Sequence, residues 1–207
     1  MKLIDLTHTF DHNMPAYPGD RQPEVTRVAC LGEDGYTAYQ IRTGMHVGTH
    51  MDAPLHMIDG GKSISDIPLE NFFGQGRLID ARGRSKITPD ILKSMSIEKG
   101  DIVLIMTGLD KIFNKSAYYV SHPEVSIEFA EKIAGLGVKI IGLDCPSPDR
   151  PPFEVHKVLL RNDILIVENL TNLRSLLDVE QFEIIAIPAK FNLDGAPVRV
   201  IARIIDK

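Results

Sequence analysis

The chain has 207 residues, 43% of them hydrophobic and 25% charged, with a formal net charge of −5. That length suits one domain, residues 1–207, with a sizeable core, and the balance excludes a disordered chain. The acidic charge without a basic stripe argues against nucleic acid, and no apolar run reaches the ~20 residues of a membrane helix.

Lys2 and Asp5 place charge where a signal peptide needs its apolar region, so a cytoplasmic protein is expected, with no membrane or nucleic-acid partner. In chain order, short runs rich in Val and Ile predict strands at 2–7, 24–29, 37–43, 77–80, 102–107, 139–143, 164–167, 183–187 and 198–204. Thr88 as N-cap and Pro89 at the first helical position predict a helix reaching about residue 97. A second helix is predicted over 125–135, with Phe129 and Ile133 on one face and Gly135 or Gly137 as the stop. A third runs over 155–161. Strands come first and then alternate with helices, which predicts a mixed α/β domain around a central sheet. Cys30 and Cys145 form no C-x-x-C pair and suggest no disulfide framework.

The densest chemistry lies in His46-Val-Gly-Thr-His50-Met-Asp52-Ala-Pro-Leu-His56. Imidazole and carboxylate are the ligands that hold zinc or manganese while leaving room for water. Gly48 and Pro54 argue against a long helix here. A strand followed by a turn is expected, with His46, His50 and Asp52 on one face by their even spacing. Pro54 would then turn the chain so that His56 comes back over the metal. Further downstream, spacing alone reads Glu168 as the exposed end of an apolar run and His156 as a cap or surface residue. Cys145 has no assignable base and reads as an inert buried thiol.

The string H-x-G-T-H-x-D-x-P-x-H resembles the signature of the cyclase-like metal hydrolases, which include bacterial kynurenine formamidases. Tyr17-Pro18-Gly19-Asp20, Gly142-Leu143-Asp144-Cys145-Pro146-Ser147 and Asp194-Gly195-Ala196-Pro197-Val198-Arg199 extend the similarity along nearly the whole chain. The resemblance implies a swivelling β/β/α domain, a homodimer or homotetramer, and a site for two zinc ions, or manganese in some relatives. It implies His46, His50 and Asp52 as ligands of one metal, His156 as a ligand of the other, and Asp52 with Glu168 as bridges. His56 matches the proton donor and acceptor, and Tyr17 matches an aromatic position, Trp in the formamidases, that packs on substrate. This chain has no tryptophan, and Cys145 stands where the family has Thr.

The activity so implied is hydrolysis of N-formylkynurenine to kynurenine and formate by a metal-activated water, a step of tryptophan catabolism. A related hydrolase opening a cyclic amide or lactone, as an isatin hydrolase does, is the nearer alternative. A non-catalytic metal-binding protein is the more distant one.

Overall fold

A computed structural model describes residues 1–93 and 95–205. The strands are β1 (Lys2–Asp5), β2 (Glu24–Ala29), β3 (Ala38–Arg42), β4 (His50–Asp52), β5 (Phe73–Asp80) and β6 (Lys86–Ile87), then β7 (Ile102–Met106), β8 (Glu124–Val125), β9 (Ile140–Leu143), β10 (Leu165–Glu168), β11 (Phe182–Pro188) and β12 (Gly195–Ile204). Two one-turn helices, α1 (Leu31–Asp34) and α2 (Ala117–Val120), precede the longer α3 (Ile127–Leu136) and α4 (Glu154–Arg161).

The main sheet runs β1-β12-β11-β5-β7-β9-β10-β4, and β4 also pairs with β12. Seven strands therefore close on themselves, with β1 attached outside the ring to β12. Neighbours among β5, β7, β9 and β10 are parallel, whereas the pairs involving β4, β11 and β12 outside that run are antiparallel. This is the mixed α/β architecture expected from the sequence, a swivelling β/β/α domain, with closure of the sheet added.

The parallel strands are apolar along their whole length because both faces are covered. In β7, Ile102, Leu104 and Met106 enter one core, while Val103 and Ile105 enter a second. Leu165 and Val167 of β10 join the first core and Ile166 the second, so the two-residue period of a strand sorts side chains between two cores. Helices α3 and α4 cover the second core with Phe129, Ile133, Leu159 and Leu160. Ser126 caps α3 by accepting the Phe129 N–H at 3.2 Å, and Gly137, at φ 70°, supplies its stop.

The helix expected from Thr88 to residue 97 does not form. Pro89–Leu92 makes one 3-10 turn, residues 95–98 are non-helical, and residue 94 lies outside the described residues. Thr88 gives its hydroxyl to the Asp90 carboxylate instead of accepting a backbone N–H, so the N-cap is lost. No helix among the described residues is long and apolar enough to cross a membrane.

Candidate metal centre

Strand β4 sits between β10 and β12, pairing Glu168 with His50 on one edge and Gly195 with Asp52 on the other. Met51 turns into the first core, so His50 and Asp52 share the opposite face. Glu168, directly across from His50, faces the same side. The expectation of an exposed Glu168 is overturned: it is 6% exposed, because β4 covers the end of β10. His156 is 3% exposed on α4 and is neither a cap nor a surface residue.

His46 does not share the strand, as its spacing had suggested. The chain bends through 45–49, and Gly48 takes φ 65°, a left-handed conformation that favours glycine. A Cβ on Gly48 would also stand 2.8 Å from the Met14 methyl. The bend lets His46 fold back until its Nδ1 is 2.8 Å from Asp52 Oδ1.

The three imidazoles have a common arrangement. Each gives one ring nitrogen to an outer acceptor and turns the other towards Asp52, and in His50 and His156 also towards Glu168. His50 donates Nδ1–H to the Gly48 carbonyl at 2.8 Å, and its Nε2 lies 3.4 Å from Asp52 Oδ1 and 3.4 Å from Glu168 Oε2. His156 donates Nδ1–H to Asp149, and its Nε2 lies 3.3 Å from Glu168 Oε1 and 3.9 Å from Asp52 Oδ2. His46 donates Nε2–H to Asp194 at 2.8 Å. Carbonyl and carboxylate oxygens accept only, so each outer nitrogen carries a hydrogen.

This set fits a divalent cation. His50 Nε2 is buried with no hydrogen-bond partner among the described residues, an arrangement that costs free energy unless something accepts its lone pair. Candidate ligand atoms of His50, Asp52 and Glu168 lie within 4.8 Å of one another, as do those of His46, Asp52 and His56. Imidazole with carboxylate, and an outer acceptor on each ligand histidine, is the donor chemistry of zinc or manganese. The electrostatics agree. Burial alone would lower the His46 and His156 pKa values, but Asp52 and Asp194 push His46 up to about 9, and Asp149 and Glu168 push His156 up to about 10. Burial would raise Asp52, but His46 and His50 hold it well below the ordinary carboxylate range. The cluster thus calls strongly for positive charge.

His56 differs from these three. It lies on the 3-10 turn Pro54–His56, and its Nδ1 is 3.2 Å from Asp194 Oδ2. Burial lowers its pKa below the ordinary imidazole value, and the Asp52 charge does not reverse this. A neutral imidazole at neutral pH can take a proton. The site opens into a pocket of about 300 Å³, at the lower end for a small organic ligand, walled by Tyr17, Met57, Tyr119 and Phe153. Tyr17 and Tyr119 meet edge to face, with centroids 6.0 Å apart.

Two site residues had no role from the sequence. Asp149 and Asp194 contact the histidines across seven and 148 positions, and only the length of Asp194's separation puts it beyond any local pattern. Cys145 is fully buried, and burial pushes its thiol pKa well above the ordinary value, as expected of an inert cysteine.

Fold and site together define a mixed α/β scaffold with a place for a divalent metal. The sequence model of the family described as "Putative cyclase" matches residues 4–150, and the chain belongs to that family. It is 30% identical to a kynurenine formamidase of Geobacillus thermodenitrificans, covering 97% of this chain and 96% of the relative. A solved structure named as a potential metal-dependent hydrolase with cyclase activity is 28% identical, with a TM-score of 0.80 over 100% of this chain and 99% of that one. Isatin hydrolase A from Labrenzia aggregata shares the fold, with a TM-score of 0.87 and 24% identity over 99% of this chain and 94% of the other.

Proposed function

We propose that this chain is a metal-dependent amide hydrolase that cleaves N-formylkynurenine to kynurenine and formate. The observation that supports it most is the pairing of a cation-demanding cluster with a neutral histidine, His56, in one aromatic-walled pocket. His46, His50 and Asp52 would hold one ion and His156 the other, with Asp52 and Glu168 serving both. A divalent ion bound there supplies Lewis acidity towards the carbonyl oxygen and lowers the pKa of water. Zinc suits these ligands, and manganese is the second candidate.

The residues then divide the remaining work. Water adds to the formyl carbon, and His56 accepts its proton. The carbon–nitrogen bond breaks only once nitrogen carries that proton, because an amide anion is a very poor leaving group, and His56 delivers it there. Tyr17 and Tyr119 stack against the aryl ring and hold the formyl group near His56.

Ring opening of an isatin-like cyclic amide is the second reading, motivated by Tyr17 in a chain without tryptophan. The deciding experiment reconstitutes metal-free protein separately with zinc and manganese and compares turnover of N-formylkynurenine with isatin. Hydrolysis of neither, with metal bound, overturns the proposal. The chain is also proposed to be a homodimer or homotetramer: the β2–β3 hairpin exposes Val28, Tyr39 and Ile41, and an isolated hairpin is marginal in water. A monomeric mass by sedimentation would refute that.

A further inference from the structure

Asp194 makes hydrogen-bond-length contacts with both kinds of histidine. Its Oδ2 lies 2.8 Å from His46 Nε2 and 3.2 Å from His56 Nδ1. The two rings lie against each other, with centroids 3.9 Å apart and planes tilted by 32°. We propose that Asp194 is a positioning residue that sets the tautomer of His56, with the proton on Nδ1 and the lone pair on Nε2, while orienting His46 towards Asp52. This rests on the proposed proton-transfer role of His56.

An ionised carboxylate only accepts hydrogen bonds, so both nitrogens facing it must carry hydrogen. For neutral His56 that leaves Nε2 as the basic atom. For His46 it leaves Nδ1, 2.8 Å from Asp52 Oδ1, as the inward nitrogen. A side-chain carboxylate that is 39% exposed could turn to water. It is held instead by backbone stitching between its loop and the segment carrying His56. Ala53 N donates to Asp194 O at 2.9 Å, Ile64 N to Leu193 O at 3.0 Å, and Ser65 N to Phe191 O at 3.0 Å. The 3-10 turn carrying His56 begins directly after Ala53. The two loops are therefore fixed to each other on both sides of His56, the kind of support that keeps a catalytic group within a fraction of an ångström.

The test compares Asp194→Asn and Asp194→Ala with the unmodified zinc-loaded enzyme. Both rings contact Oδ2, so an Asn oxygen in that place can still accept from both, whereas Asp194→Ala removes the acceptor. Nitrogen-15 NMR should show His56 protonated at Nδ1 in the unmodified protein and in Asp194→Asn, and shifted towards Nε2–H in Asp194→Ala. With N-formylkynurenine, Asp194→Ala should lower kcat about 10- to 100-fold with KM within threefold and weaken zinc affinity by chelator competition about tenfold through His46, with Asp194→Asn closer to the unmodified enzyme in both. Finding Nε2–H in the unmodified protein, or an unchanged tautomer and kcat in Asp194→Ala, would overturn the proposal. If the unmodified enzyme hydrolyses no amide, the function fails while the NMR and zinc readings still decide the role of Asp194.

Discussion

Asp149 holds His156 from behind: one carboxylate oxygen accepts the imidazole Nδ1–H, while the other accepts the Val155 N–H at 2.7 Å. The same side chain thus starts helix α4 and aims the histidine on it at Glu168. Asp149→Asn keeps an acceptor but loses the charge. Zinc affinity should fall about 10- to 100-fold, measured by chelator competition, with the circular dichroism of the fold retained. Unchanged affinity would mean that His156 needs no outer carboxylate to serve as a ligand.

His50 and His56 should separate into two classes of mutant. His50→Ala removes an inward nitrogen that has no hydrogen-bond partner among the described residues, so metal and activity should be lost together. His56→Ala should retain its metal and lose about 10²- to 10⁴-fold in turnover, the usual worth of a positioned proton-transfer group. Elemental analysis beside kinetics checks both. A metal-free His56→Ala protein would make His56 a ligand.

Much of this fold was legible because its strands are apolar runs of Val and Ile bounded by Gly, Pro or Asp. The run 102–107 predicted β7 to within one residue. Closure of the sheet was not legible, because it depends on β4, three residues long, pairing on both edges. His46, His50, Asp52 and His56 could be gathered from the sequence since they lie close along the chain. Glu168 and His156 could not be reached by spacing, and only the resemblance to a known family implied them. The failed helix after Thr88 marks another limit. A cap signal counts only if the hydroxyl accepts from the backbone, and at Thr88 it donates to Asp90 instead.

Gly195 allows His46 its place. A Cβ there would stand 2.8 Å from His46 Cε1 and 2.9 Å from the Met51 carbonyl oxygen, and the latter cannot yield without disturbing the β12–β4 pairing. Gly195→Ala should lower stability by about 1–3 kcal/mol, the usual cost of overpacking. It should also lower zinc occupancy and reduce activity at least about tenfold. Gly135→Ala is the control. Nothing lies within 4 Å of its added methyl group, and alanine is the better helix former, so stability should rise by up to ~1 kcal/mol. Calorimetry with zinc analysis checks both, and an unaffected Gly195→Ala protein would show that His46 has slack.

Asp144 should govern part of the pH dependence of stability. Burial pushes its carboxyl pKa up to about 6 from 3.8, although Thr107 and Gly108 donate hydrogen bonds to it. The folded state therefore holds this proton more tightly than the unfolded chain does. Its contribution is most favourable below 3.8 and is lost as pH rises through the window from 3.8 to about 6. A shift of roughly two units corresponds to about 3 kcal/mol between the ends of that window. Asp144→Asn removes the titration but also disturbs the three hydrogen bonds, so its stability at one pH is not diagnostic. The difference between variant and unmodified protein is diagnostic. Measured by urea unfolding, it should move in favour of the variant by about 2–3 kcal/mol from pH 4 to pH 7. A constant difference across that range would show that the three donors keep Asp144 ionised in spite of its burial.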